Sequence, residues 1–363
     1  MRLFVALVLL ALSACSVAQP DGAHAEAAPK EPIAVEQRII PIALAGPIAS
    51  RDAEISGLAW YGDTLVLLPQ YPARFEVGVD TVNVQNERGD RGAVFAIPRS
   101  EIEAYLAAAS PAPLRPRAVP FEAPDVADRI LSFEGYEAIT FLGDEVFLAV
   151  EFEDEVDIQG YLVAGTVAPG LGHIQLDSST LRPLPAQTRI GNLSYETLLI
   201  VPGGVMALQE ANGKAVNPRP EAYVFDAALK MRDSLDFQNL EYRLTDATDI
   251  DTTGRFWALN YFYPGEREIL QPAVDSVALD YGVGPTHRRL PQVERLVEMR
   301  YAAGHIVRTE RPPVQLVLAG DRPRNWEGVV RLGDRGFLVA TDKFPETILA
   351  FVPLPPAPRA DGE

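Results

Sequence analysis

Cysteine is nearly absent: Cys15 stands alone among 363 residues, so no disulfide can close within the chain and the fold must rest on burial. Lysine is scarce as well, confined to Lys30, Lys214, Lys230 and Lys343. The shortage of positive charge is general. A formal net charge of −18 at pH 7 excludes the Lys and Arg clusters that displace counterions from nucleic acid or hold anionic lipid surfaces, and it makes cations the expected small partners. His24, His173, His287 and His305 are scattered without zinc-site spacing. No G-x-S-x-G elbow, P-loop or zinc helix motif occurs, so nothing points to a serine or cysteine nucleophile.

Long apolar runs are missing too. Leu3 to Leu12 follow the positive Arg2 and stop at Ser13, well short of the roughly 20 residues that span a bilayer. The segment Leu12-Ser13-Ala14-Cys15 resembles the bacterial lipobox. That resemblance implies that residues 1–14 are a lipoprotein signal peptide, that Cys15 carries fatty acyl chains such as palmitate, and that the protein is tethered in the cell envelope. Ser16 after the cysteine points to the outer membrane, facing the periplasm. Residues 15–34 are Ala-, Pro- and Glu-rich and read as a flexible tether, and 353–363 as a disordered tail. Hydrophobic content of 47% with 23% charged residues is that of a globular chain. No linker interrupts residues 35–352, which are expected to form one domain; Pro-rich Ser110 to Pro124 has strand-like runs on both sides.

What the chain does contain is a repeated hairpin. Five segments share a polar residue, a short apolar strand, a Gly-bearing turn and a second apolar strand that ends on another polar residue. They run from Ser56 to Gln70, Glu137 to Glu151, Glu196 to Glu210, Asp249 to Asn260 and Glu327 to Asp342. The intervals hold further strands, such as Ala93 to Pro98, Gly160 to Val167, Glu221 to Asp226 and Val293 to Tyr301. One helix is expected from a capping box at Ser100 to Glu103. Four strands per unit, repeated radially, predict an all-β propeller of five blades, with six as the alternative.

The repeats resemble the phytase-like β-propellers, the "esterase-like activity of phytase" family, through Ile55-Ser56-Gly57-Leu58-Ala59-Trp60, Glu134-Gly135-Tyr136-Glu137-Ala138-Ile139, Tyr195-Glu196-Thr197-Leu198 and Trp326-Glu327-Gly328-Val329. The resemblance spans nearly all of residues 35–352 and implies a channel with a metal or substrate site at one mouth.

Radial repetition places equivalent residues in rings. Glu137, Glu196, Asp249 and Glu327 start the hairpins, with Ser56 or Glu54 in the fifth place; Gln70, Glu151, Glu210, Asn260 and Asp342 end them. Because the two strands are antiparallel, both rings fall at one end. So many carboxylates repel one another unless some are protonated or a cation neutralises them. Hard oxygen donors of this kind suit Ca²⁺, so Glu137, Glu196, Asp249 and Glu327 are the expected metal ligands, with Glu151 and Glu210 as catalytic residues, either the general base or second-ring ligands. Arg74, Lys214, Arg267 and Lys343 follow the second ring and are expected to hold the substrate, a small phosphate or carboxylic ester. The alternative is a non-catalytic, ligand-binding or scaffold propeller whose acids lock the blades together. The acidic run of Glu151, Glu153, Asp154, Glu155 and Asp157 reads as a solvated loop, and Asp249 to Gly254 as a polar turn.

Overall fold

The second strand of each hairpin is an unbroken apolar run, as in Leu65-Val66-Leu67-Leu68 and Val146-Phe147-Leu148-Ala149-Val150, and the reason is that both of its faces are covered. The structure, a computed structural model, describes residues 34–152, 158–302 and 304–355. The signal, Cys15, His24, most of the tether, most of the tail and the acidic run from Glu153 to Asp157 lie outside them.

The strands form five antiparallel blades. Blade I is Ile55–Tyr61, Thr64–Pro69, Arg91–Pro98 and Arg117–Glu122. Blade II is Phe133–Leu142, Glu145–Phe152, Ile158–Val167 and Ile174–Pro185. Blade III is Thr197–Val201, Gly204–Leu208, Glu221–Asp226 and Met231–Phe237. Blade IV is Arg243–Ala247, Arg255–Phe262, Val293–Ala302 and His305–Arg308. Blade V is Trp326–Leu332, Gly336–Thr341 and Leu349–Pro353, completed by Ile40–Ile42 from the other end of the chain. The innermost strands touch in cyclic order from I to V and back to I. This is a five-bladed β-propeller. The irregular intervals are consumed as third and fourth strands, so no sixth blade is assembled from them.

The core consists of five slabs, one between each pair of neighbouring blades. Leu68, Val94 and Phe121 of blade I meet Ile139, Leu148 and Ile174 of blade II, and Phe147 and Leu162 on the other face of blade II meet Val205 and Phe225 of blade III. The same alternation joins III to IV through Met206 and Val297, IV to V through Trp257 and Phe337, and V to I through Leu338 and Leu67. The inner strands of each blade therefore serve two slabs at once. The ring is closed by Ile40 opposite Phe351, and just before it Glu36 pairs in parallel with Gln315 of blade IV. The helix expected near residue 100 spans Arg99–Ala107, but Pro98 precedes it and no side chain caps it; the Arg99 amide bonds the Asp63 carbonyl instead.

At the mouth, the innermost strands bulge. Pairing skips Ser56, Glu137, Thr245 and Glu327, so each of these residues is extra on its strand and its side chain is re-aimed. Where the bulge residue is a hydroxyl, it ties one blade to the next: Ser56 Oγ donates to the Tyr136 carbonyl at 2.5 Å and Thr245 Oγ1 to the Trp326 carbonyl at 2.6 Å. Thr245→Val keeps the shape and leaves that buried carbonyl without its donor, which costs about 1–3 kcal/mol. Urea unfolding is expected to show a lower midpoint with unchanged slope; an unchanged midpoint would contradict the interblade role.

Candidate functional site

The bulges aim Glu137 and Glu327 inward, and Glu196 precedes the innermost strand of blade III at the same level. Gln70, Glu151, Glu210 and Asp342 lie at or just past the ends of the second strands. Most of these side chains line a cavity of about 990 Å³ at one end of the channel, together with Glu54, Arg243, Tyr261, Glu266 and Asn325. Glu210 lies fully buried behind that wall.

Arg243 holds the acids together. Its Nε bonds Glu210 Oε1, its Nη2 lies 3.4 Å from Glu196 Oε1 and 3.6 Å from Glu327 Oε1, and its Nη1 lies 3.4 Å from Glu266 Oε1 and 3.2 Å from Asn325 Oδ1. Its guanidinium also stands over the Tyr261 ring, 5.5 Å from the centroid. Burial alone would weaken its charge, but Glu210 and then Glu196 reverse that effect and hold it firmly protonated.

One cation does not neutralise this many carboxyls, and the remainder are kept neutral by burial. Glu137 is pushed up to about 8 by burial, with repulsion from Glu210 adding and the Gln70 hydrogen bond and Arg243 opposing. Burial raises Glu151 further, reinforced by Glu137 and Glu210. Glu196 is raised by burial and by Glu210, and Glu327 by burial and by Asp342. Glu210 is raised by burial, but Arg243 and a hydrogen bond from Glu196 both favour its charged form. Glu196 Oε2 and Glu210 Oε2 are both buried and receive no donor from the other described residues. Glu151 Oε1 is buried and has no partner at all.

The residues expected from the sequence divide accordingly. Glu137, Glu151, Glu196 and Glu327 converge at the cavity, as do Arg74 and Lys343. Both cations are already engaged: Arg74 bonds Glu54 at 2.8 Å and Glu87 at 2.6 Å, and Lys343 reaches Glu54 at 3.2 Å. Lys214 and Arg267 are exposed and do not line the cavity; Arg267 lies over the Phe262 ring. Asp249 is at the opposite end of the channel, in the turn between the first two strands of blade IV, beside Trp60 and Arg331. The correction follows from register, because the innermost strand of blade IV ends at Ala247 and its bulge residue is Thr245. In the same blade Tyr261, one place beyond Asn260, takes the position of Gln70; Asn260 instead bonds the backbone of Glu241 and Arg243. Arg243, Tyr261, Glu266 and Asn325 are functional positions that the sequence reading missed.

The donors as placed do not make a calcium cage. A guanidinium stands where the cation was expected, and among the described residues no group of three or more His, Cys, Asp or Glu side chains is arranged to hold a metal.

No family model and no curated protein matches this chain. Solved structures of similar shape include a GH43 endo-arabinanase from Bacillus licheniformis, at 10% identity over 86% of this chain and 96% of that one, with a TM-score of 0.43. A Bombyx mori GH32 beta-fructofuranosidase matches at 8% identity over 86% of this chain and 61% of the other, TM-score 0.45. The Bacillus subtilis arabinanase Arb43A matches at 8% over 82% and 94%, TM-score 0.41. At such scores none of them bears on what this site does.

The protonation of Glu137 ties stability to pH. The unfolded chain releases that proton near 4.5 and the folded one near 8, so between these values the folded state binds more protons and stability falls as pH rises. Unfolding midpoints are expected to drop from pH 5 to pH 8, and to drop less in Glu137→Gln. Equal slopes in the two proteins would contradict the assignment.

Proposed function

We propose that this chain is an envelope hydrolase of small esters that works by carboxyl acid–base chemistry at the channel mouth. One observation carries the reading: Glu137, Glu151, Glu196 and Glu327 line one cavity, each raised by burial, and Glu210 stands behind them against Arg243. Carboxyls that share one mouth and differ in their distance from a guanidinium can serve as acid and base in one site. A water attacks the ester, its proton passes to the Glu196–Glu210 pair, and the departing oxygen takes the proton of Glu151. Arg243 does not touch substrate; it keeps the pair charged. From the phytase-like resemblance the proposal keeps the channel mouth as the reactive place. Calcium, expected from the sequence, is tested by comparing melting curves in calcium and in chelator; the absence of a ligand group among the described residues predicts equal curves. The competing reading, a binding propeller, uses the same cavity without turnover.

Chromogenic acetate and phosphate esters serve as substrates, with Glu151→Gln beside the unaltered protein. Loss of kcat by about 10²- to 10⁴-fold is expected, with a bell-shaped pH profile in the parent. Equal activity in the two proteins would contradict the role of Glu151, and no turnover in either would favour the binding propeller. The envelope address rests on Cys15, so Cys15→Ser is expected to move the protein from the membrane fraction to the soluble fraction. Continued retention in membranes would remove the lipid anchor from the account.

A further inference from the structure

We propose that the hydroxyl of Tyr261 is the donor that meets the carbonyl oxygen of a bound carboxylic ester and holds it as an oxyanion; this deepens the hydrolytic reading above and rests on it.

Most donors on the cavity wall are spent on the protein itself. Each nitrogen of Arg243 faces a carboxylate or Asn325, the Asn325 amide donates to Glu327, and the Gln70 amide donates to the Glu134 carbonyl and to Glu137. Both terminal nitrogens of Arg74 are on Glu54 and Glu87, its Nε is enclosed, and Lys343 is on Glu54. Arg51, Arg322 and Tyr263 line the cavity from exposed positions, where water competes for their donors.

Tyr261 differs on each count. It lines the cavity at 4% exposure, and its hydroxyl donates to no described residue. Glu151 Oε1, Glu196 Oε2 and Glu210 Oε2 also lack partners but are enclosed, whereas the Tyr261 hydroxyl is not among the enclosed atoms. The little surface this residue keeps therefore includes its O–H. Register fixes where that group stands. Tyr261 holds in blade IV the ring place that Glu151 holds in blade II, with Arg243 and Glu294 as its partners on the two flanking strands. The guanidinium over its ring is the one that bonds Glu210 and lies 3.4 Å from Glu196. Tyr71, the other buried phenol on the wall, lies instead under Arg74, whose partners are Glu54 and Glu87.

Burial raises the Tyr261 phenol above its ordinary range, with Arg243 opposing, so it remains an O–H donor throughout the working pH range. A neutral donor bonds a carbonyl modestly and an oxyanion strongly, so its help falls on the transition state. The oxygen of water bonds the carbonyl carbon as its proton leaves for the Glu196–Glu210 pair. The carbonyl π electrons move onto the oxygen, which Tyr261 holds while keeping its own proton. Those electrons return as the bond to the alcohol breaks, and the alcohol oxygen takes the proton of Glu151.

Tyr261→Phe removes the hydroxyl and keeps the ring under Arg243, and Tyr71→Phe is the matched control. With 4-nitrophenyl acetate, Tyr261→Phe is expected to lose about 10²-fold in kcat with KM within about twofold and the pH limbs unmoved, while Tyr71→Phe keeps the parent rate. Its melting curve is expected to match the parent's, because the hydroxyl serves no bond of the fold. Phenyl trifluoromethyl ketone, whose hydrate copies the tetrahedral carbon without being cleaved, gives a second readout by ¹⁹F NMR. The parent is expected to hold it about tenfold more tightly than Tyr261→Phe does. Unchanged kcat in Tyr261→Phe, a loss seen only as raised KM, or an equal loss in Tyr71→Phe would overturn the assignment and leave the hydrolase standing. Ketone binding that depends on Tyr261 without any ester turnover would do the reverse, keeping Tyr261 as the carbonyl donor and removing the hydrolase. Ketone affinity equal in parent and Tyr261→Phe, or absent from both, would overturn the inference.

Discussion

A single guanidinium set among carboxyls is the interaction on which the mouth of this propeller depends. Five innermost strands each bring one residue, at a bulge or just ahead of the strand, together around an axis, and three of those residues are glutamates. Without a counter-charge they would repel one another and their strands. Arg243 supplies it from within the fold, two residues ahead of the bulge in blade IV, where blade I carries Glu54 and blade V carries Asn325. Burial makes the arrangement worth more than a surface pair, and also costly to break, because each charge left behind would be desolvated and alone. The carboxyls that Arg243 does not reach are held neutral instead.

Much of the fold was legible in the sequence, because a strand covered on both faces must be apolar throughout and a hairpin turn needs its glycine. Gly62, Gly143, Gly203, Gly254 and Gly333 all sit in those turns at positive φ. The third strands at Ala93, Gly160, Glu221 and Val293 fall where the sequence placed them. The closing strand, Ile40–Ile42, was not legible. Three residues at an exposed edge leave no periodic signal, and their partner lies at the other end of the chain.

The site was half legible, and blade IV shows why. The bulge residue lies six residues ahead of the turn glycine in blades I, II and V, and the equivalent Glu196 seven ahead in blade III, but Thr245 lies nine ahead in blade IV. A longer turn, pinned by Asp251 accepting from Thr253 and Arg255, took up the difference. Counting by the shorter spacing put Asp249 in the ring and Arg243 outside it. The signal was present, since a polar turn running from residue 249 to 254 cannot also begin a strand at Asp249. The need for a cation was read from the charges; that the chain itself provides it was not. Glu266 was invisible for another reason, as it comes from the loop after the second strand, outside every repeat.

The same clasp links stability to chemistry. Burial raises Glu210 and Arg243 opposes that, while burial and then Glu210 raise Glu196. Removing the guanidinium therefore tests the whole arrangement. Arg243→Met, unfolded in urea at pH 8 and at pH 5, is expected to lose about 3–5 kcal/mol at pH 8 and clearly less at pH 5, where the freed carboxyls take up protons. Stability equal to that of the parent at pH 8 would contradict the account.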